Sequence, residues 1–181
     1  MTPMSRSPMN SLQESLRVKR DFFATNREAI TAQAVVLAAT FKRGGKLISF
    51  GNGGSAADAQ RVAECLLRKG LPAVALPSLF TPDGPVFSSL YSALRHKGDC
   101  ALAISTSGNS ANILDTVQVA QEAGDPVIAF TGNSGGRLRG MVPNALTVGD
   151  DKTTHAVARI QEVHLMLVHE LCAVTFSLLQ S

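Results

Sequence analysis

Between residues 105 and 110 the chain reads Ser-Thr-Ser-Gly-Asn-Ser, four hydroxyls and an amide around a single glycine. A hydroxyl donates one proton and accepts on two lone pairs. A turn built this way can therefore hold a phosphate with hydroxyls and backbone N–H groups, without a resident cation. Ser and Asn also cap helices, and one such residue would mean nothing more; four hydroxyls in six positions behind an apolar run point to a bound anion. A second turn, Gly51-Asn52-Gly53-Gly54-Ser55, has three residues without a Cβ, which lets backbone approach a ligand closely. No Gly-Lys-Ser/Thr follows it and it is not Gly-x-Gly-x-x-Gly, so neither the P-loop nor the dinucleotide fingerprint is met.

Both turns sit between a short apolar run and a helical pattern. The apolar runs predict strands at 46–50, 73–76, 100–104, 126–130 and 145–148. Helices are expected from Ser55, over Ser110–Ala123, briefly after TGNSGG, and over a long final stretch from Thr153 to Leu179. Strands alternating with helices imply right-handed βαβ units and a parallel sheet covered on both faces, a doubly wound α/β fold. In such sheets ligands sit outside the carboxyl ends of the strands, where both turns fall. Ahead of the sheet, residues 1–9 read as a tail. Leu12, Leu16, Phe22 and Phe23 mark one amphipathic helix starting at Asn10 or Ser11. Ile30, Ala34, Val35, Ala38 and Phe41 mark a second over Arg27–Arg43, ended by Gly44-Gly45. No repeat or linker divides residues 10–181, which read as a single domain. The N-terminal helices and the final helix are more apolar than one sheet needs, which predicts helix-on-helix packing between subunits.

Composition narrows the partners. Seventeen Lys and Arg against fourteen Asp and Glu leave +3, and no window gathers the cations into a stripe. With no Trp and one Tyr to stack bases, direct nucleic-acid binding is not expected. Cys65, Cys100 and Cys172 are odd in number and widely spaced, as reduced thiols of a cytoplasmic protein are. No uninterrupted apolar run approaches 18 residues and the N-terminus lacks a signal-peptide core, so no membrane association is expected.

Three segments carry a family resemblance: GNGGSAADAQ at 51–60, STSGNSANIL at 105–114 and RIQEVHLMLVHELC at 159–172. Together, and in this order, they resemble the sedoheptulose 7-phosphate isomerase (phosphoheptose isomerase) branch of the sugar-isomerase (SIS) domain proteins, from about residue 10 to the C-terminus. The resemblance implies a three-layer, flavodoxin-like core with a five-stranded parallel sheet, a homotetramer with sites at subunit interfaces, and a phosphosugar ligand. By the same resemblance Ser105, Thr106, Ser107 and Ser110 would hold the phosphate. Asn52, Gly53, Gly54 and Ser55 would line the sugar, with Gln161 beside them.

The catalytic centre departs from that pattern. The family's isomerases carry a His and a Glu four residues apart on the helix after the glycine turn, the Glu as base of an aldose–ketose isomerisation and the pair also as zinc ligands. Here those positions are Arg61 and Cys65. Arg offers five donors and no lone pair, so it cannot ligate a metal. Glu64 is one residue away, which on a helix turns a side chain by about 100°. Cys65 is either a thiolate base or ligand favoured by Arg61 one turn away, or an inert packed thiol. Gln161 and His169 match the family's glutamine and histidine on the C-terminal helix, but eight residues separate them by about 12 Å along a straight helix. His164 reads as a packed core residue, and Arg159 and Glu162 as surface or inter-subunit contacts. Between Pro77 and Gly98 the chain is shorter than the family's segment and lacks its Asn-Asp pair; Asp83 in TPDGP is explained by turn chemistry.

Two functions follow from these departures. One is a phosphosugar-binding or regulatory protein with no metal cofactor, as in the family's branch that associates with the bacterial replication initiator and also lacks the glutamate. The other is a sugar-phosphate isomerase with a rebuilt centre that uses Cys65 and His169.

Overall fold

The computed structural model describes residues 8–78, 86–149 and 155–180. The chain opens on one 35-residue helix, α1 (Pro8–Lys42), followed by β1 (Leu47–Gly51), α2 (Gly54–Leu67) and β2 (Ala73–Ala75). Next come α3 (Phe87–Leu94), β3 (Cys100–Ser105), α4 (Ala111–Glu122) and β4 (Val127–Gly132), then α5 (Gly136–Met141), β5 (Leu146–Val148) and α6 (Val157–Gln180). The five strands form one all-parallel sheet in the order β2-β1-β3-β4-β5.

Strand periodicity divides the interior into two cores. Along β3, Cys100, Leu102 and Ile104 face one side, joined by Ile128 and Phe130 of β4, and pack against α1, α2 and α6. Ala101, Ala103 and Ala129 alternate with them and face α3, α4 and α5. The small alanines leave room on that face for Phe50, Phe87 and Tyr91, whose rings meet with centroids 5.9 and 6.2 Å apart. The three-layer α/β architecture is the one the alternation of strands and helices predicts.

Three expectations change. The two N-terminal helices are a single helix. The polar stretch that suggested a break, Thr25 and Asn26, bonds back to the preceding turn: Thr25 Oγ1 donates to the Asp21 carbonyl at 3.0 Å and Asn26 Nδ2 to that of Phe22 at 2.9 Å. No glycine or further proline interrupts the helix after Pro8, which suits a first turn because its missing N–H has no partner there. Pro8 and Met9, expected in the tail over 1–9, belong to α1, and residues 1–7 lie outside the described residues. Within the segment read as a shortened loop, Phe87–Leu94 forms α3, eight residues that bury Phe87 and Tyr91. Asp83 lies outside the described residues, as does the start expected for the last helix at Thr153.

The helix α6 is long and apolar enough to cross a membrane by length and composition alone. Its apolar residues are interrupted by Gln161, Glu162, His164, His169 and Glu170, and Ile160, Val163, Leu167, Val168 and Leu171 are buried in the core against α1 and α2. At its N-terminal end, Glu162 accepts from Lys19 at 3.0 Å, from Arg159 at 2.9 Å and from the Ser15 hydroxyl. Arg159 Nη1 also donates to the Ser11 carbonyl at 3.1 Å. Arg159 and Glu162 thus clip α6 to α1 within one chain.

Candidate functional site

Winding from β1 to β2 moves outward in one direction, while β3, β4 and β5 are laid down in the other. The crevice between the carboxyl ends of β1 and β3 is the topological switch point, the place where loops diverge and a ligand can enter. The glycine turn leaves β1 and the hydroxyl turn leaves β3, so the fold delivers both to this crevice.

A reciprocal amide pair joins them. Asn52 Nδ2 donates to Asn112 Oδ1 and Asn112 Nδ2 donates to Asn52 Oδ1, each at 3.0 Å. From the third layer Gln161 of α6 reaches over the glycine turn: a Cβ on Gly54 would stand 2.0 Å from Gln161 Nε2. The structure thus gathers Asn52, Gly53, Gly54, Gln161 and the hydroxyl turn at one end of the sheet. Ser55 is buried in the first turn of α2, and its N–H donates to the Asn52 carbonyl at 3.0 Å.

The hydroxyl turn is braced by its own backbone. Ser105 Oγ accepts the Gly108 N–H at 3.2 Å and Ser107 Oγ accepts the Asn109 N–H at 3.2 Å. In both bonds the hydroxyl is the acceptor, which leaves its own proton for an anion. Ser110 occupies the N-cap of α4, yet its side chain makes no capping bond, so capping does not explain it. The start of the twelve-residue α4 adds its partial positive charge to the same spot. Gly108 has φ +65°, and a Cβ there would lie 1.9 Å from the Gly135 carbonyl oxygen. Asn109 locks the turn to α5, accepting the Arg137 N–H at 3.0 Å and donating to the Ser107 carbonyl at 3.1 Å.

One protomer does not bring the remaining candidates to this crevice. Cys65 is eleven residues beyond Gly54, about 16 Å along α2, and faces Cys172 of α6. Arg61 and Glu64 are exposed on α2, and His169 is exposed on α6. His164 is fully buried, as its apolar setting predicts. Its Nε2 is 3.1 Å from the Thr131 carbonyl oxygen, Nδ1 has no partner, and burial lowers its pKa to about 4. Among the described residues no three His, Cys, Asp or Glu side chains are grouped to hold a metal ion. The donor set of one protomer therefore does not fit the zinc that the family pattern implies, since Arg61 replaces one ligand and Cys65 is directed at Cys172.

Sequence reasoning missed two residues. Asn112 is visible only as a second Asn after the hydroxyl turn, and its contact with Asn52 needs the tertiary fold. Asp58, in an Ala-rich turn of α2, is buried with Oδ2 unpartnered. Burial raises its carboxyl to about 6, partly opposed by Arg61 one turn on.

Known proteins resemble this chain along most of its length. Residues 12–132 match the SIS domain family. The phosphoheptose isomerase of Roseiflexus sp. (strain RS-1) is 38% identical over 185 residues, covering 94% of this chain and 92% of that protein. The phosphoheptose isomerase structure from Neisseria gonorrhoeae superposes with a TM-score of 0.83 at 36% identity, covering 92% of this chain and 95% of its own. That from Francisella tularensis superposes with a TM-score of 0.83 at 33% identity, covering 98% and 100%. With a family match over residues 12–132 and relatives 33–38% identical along most of the chain, the chain belongs to the phosphoheptose isomerase family of SIS-domain proteins.

Proposed function

We propose that this protein binds a sugar phosphate of the heptose-phosphate class in the crevice between β1 and β3 and acts as a binding or regulatory protein, without the parent isomerisation. Ser105, Thr106, Ser107, Ser110 and the start of α4 take the phosphate; Asn52, Gly53, Gly54 and Gln161 take the sugar. The observation that carries the reading is the contrast between the two halves of the site. The anion-binding turn is complete and braced, whereas the isomerase positions hold an exposed Arg61 and a Cys65 turned into the seam between α2 and α6. An enediol-type isomerisation needs a base within hydrogen-bond reach of the carbon acid, and the family's base position on α2 holds the Cys65 thiol in place of a carboxylate. The protein works without a metal cofactor on this reading, in the cytoplasm, with no nucleic-acid or membrane partner. Leu12 and Leu16 of α1 and Leu165 and Met166 of α6 are exposed, and a homotetramer buries them.

The second reading is an active phosphoheptose isomerase whose centre is completed across a subunit interface. It is favoured by the activity named for relatives at 33–38% identity and by His169, which is exposed and free to meet a neighbouring subunit. In this reading Cys65 or His169 moves the proton.

One sample separates them. Purified protein is assayed for sedoheptulose 7-phosphate turnover, its metal content is measured, and its melting temperature is followed with and without the sugar phosphate. A ligand-induced rise with no turnover and no stoichiometric metal supports the binding protein. Turnover that is abolished by Cys65→Ala or His169→Ala overturns it in favour of the rebuilt isomerase.

A further inference from the structure

The contact between α2 and α6 continues past the phosphosugar crevice. Gly54 faces Gln161 at the crevice, and eleven residues further along each helix, at 65 and 172, Cys65 faces Cys172. Eleven residues are close to three helical turns, so each cysteine lies on the same stripe of its helix as the residue at the crevice. The two helices therefore run parallel, with one constant register from the sugar turn to the thiols. Cys172 Sγ lies 4.0 Å from the Val62 carbonyl oxygen, one turn before Cys65, and the neighbouring Cys65 helps to raise the Cys172 thiol's pKa. Both are half-buried, whereas Cys100 is sealed inside the sheet. The family's glutamate position has thus become one half of an inter-helix dithiol.

We propose that Cys65 and Cys172 form a thiol–disulfide exchange site that ties α2 to α6 when oxidised, the oxidant being a low-molecular-weight disulfide. The Cys65 thiol loses its proton and its sulfur attacks one sulfur of that disulfide; the S–S bond breaks, one thiolate leaves, and a mixed disulfide forms on Cys65. Cys172 then gives up its proton and attacks the Cys65 sulfur, expelling the second thiolate and closing the protein disulfide. Two protein thiols lose two protons and two electrons, and the external disulfide is reduced to two thiols. The order follows from the surroundings: burial and the neighbouring Cys65 push the Cys172 thiol up to about 12, so it stays protonated until the mixed disulfide is beside it. The tie closes a loop of more than a hundred residues, which restricts the unfolded chain strongly. The site stands independently of what the crevice binds.

The test uses the full reduced chain incubated with oxidised glutathione, followed by intact mass, thiol counting under denaturing conditions and peptide mapping. The expected product is lighter by two hydrogen atoms, keeps one of three thiols (Cys100), carries linked peptides containing Cys65 and Cys172, and melts several degrees higher. Cys172→Ser is expected to stop at a stable glutathione adduct on Cys65. Three results would overturn the proposal: a wild-type chain that retains all three thiols, one that stops at the mixed disulfide, or one that joins Cys65 to a second chain.

Discussion

Asn52 and Asn112 exchange two 3.0 Å amide hydrogen bonds across the switch point of the sheet, so the turn after β1 and the helix after β3 are held as one unit. Each amide offers the other one donor and one acceptor. Asn112→Ala removes both bonds while leaving the hydroxyl turn intact. It is expected to cost about 1 kcal/mol in urea denaturation and to reduce the rise in melting temperature given by a sugar phosphate. An unchanged ligand response would mean the pair is merely structural.

The two glycines at the crevice should respond differently to the same methyl group. In Gly108→Ala the new Cβ meets the Gly135 carbonyl oxygen at 1.9 Å, and φ is +65°. Backbone cannot swing aside, so a loss of roughly 3 kcal/mol is expected, from steric shift and left-handed strain together. In Gly54→Ala the obstacle is the Gln161 amide at 2.0 Å, the end of a side chain that can rotate away. That variant is expected to stay folded but lose its sugar-phosphate response, because Gln161 is displaced. Measured loss of stability in Gly54→Ala equal to that in Gly108→Ala would show that Gln161 is held as rigidly as backbone.

The sequence made the sheet and the two turns legible, because strand runs and glycine or hydroxyl turns are local signals. Period-two burial of Leu102 and Ile104 against Ala101 and Ala103 needs only the strand itself. What stayed hidden depends on tertiary neighbours. Thr25 and Asn26 look like a helix break until their side chains are seen bonding back to the preceding turn. The eight residues of α3 are too few to establish a period, and Phe87 and Tyr91 are helical because Phe50 and Asp125 receive them. In the site, Gln161 was legible through resemblance, whereas the facing of Cys65 and Cys172 requires the register of two helices far apart in the chain.

Arg95 and Asp125 form a fork that fastens α3 to the loop before β4, with Nε to Oδ2 at 2.7 Å and Nη2 to Oδ1 at 2.9 Å. The Tyr91 hydroxyl donates to the same carboxylate at 2.9 Å. The partners differ in exposure: the Arg95 side chain is 23% exposed and that of Asp125 only 2%. Removing the arginine strands a buried carboxylate, while removing the aspartate lets Arg95 turn to water and leaves Tyr91 unpaired. Arg95→Ala is therefore expected to cost about 3 kcal/mol and Asp125→Ala about 2 kcal/mol in urea denaturation. The reverse order would mean that Tyr91, not the ion pair, dominates the contact.

Two buried groups give the fold opposing responses to acid. His164 has its pKa lowered by burial to about 4, against about 6.5 when unfolded. Between those values the unfolded chain takes a proton that the folded chain refuses, so stability is lost as pH falls from 6.5 toward 4. Asp58 is raised by burial from 3.8 to about 6. Between those values the folded chain keeps a proton that the unfolded chain releases, so stability is lost as pH rises from 4 toward 6. Over that shared window the two slopes oppose each other. Asp58→Asn removes one of them: the variant is expected to be more stable than wild type at pH 7, on the order of 1 kcal/mol, and to lose this advantage near pH 4. His164→Gln keeps an amide donor for the Thr131 carbonyl and removes the other, so its stability should fall less than that of wild type between pH 6.5 and 4. Urea denaturation across this range checks both. A gain in Asp58→Asn that is equal at pH 4 and pH 7 would show that the carboxylate costs nothing by its charge and that Oδ2 finds solvent in the folded protein.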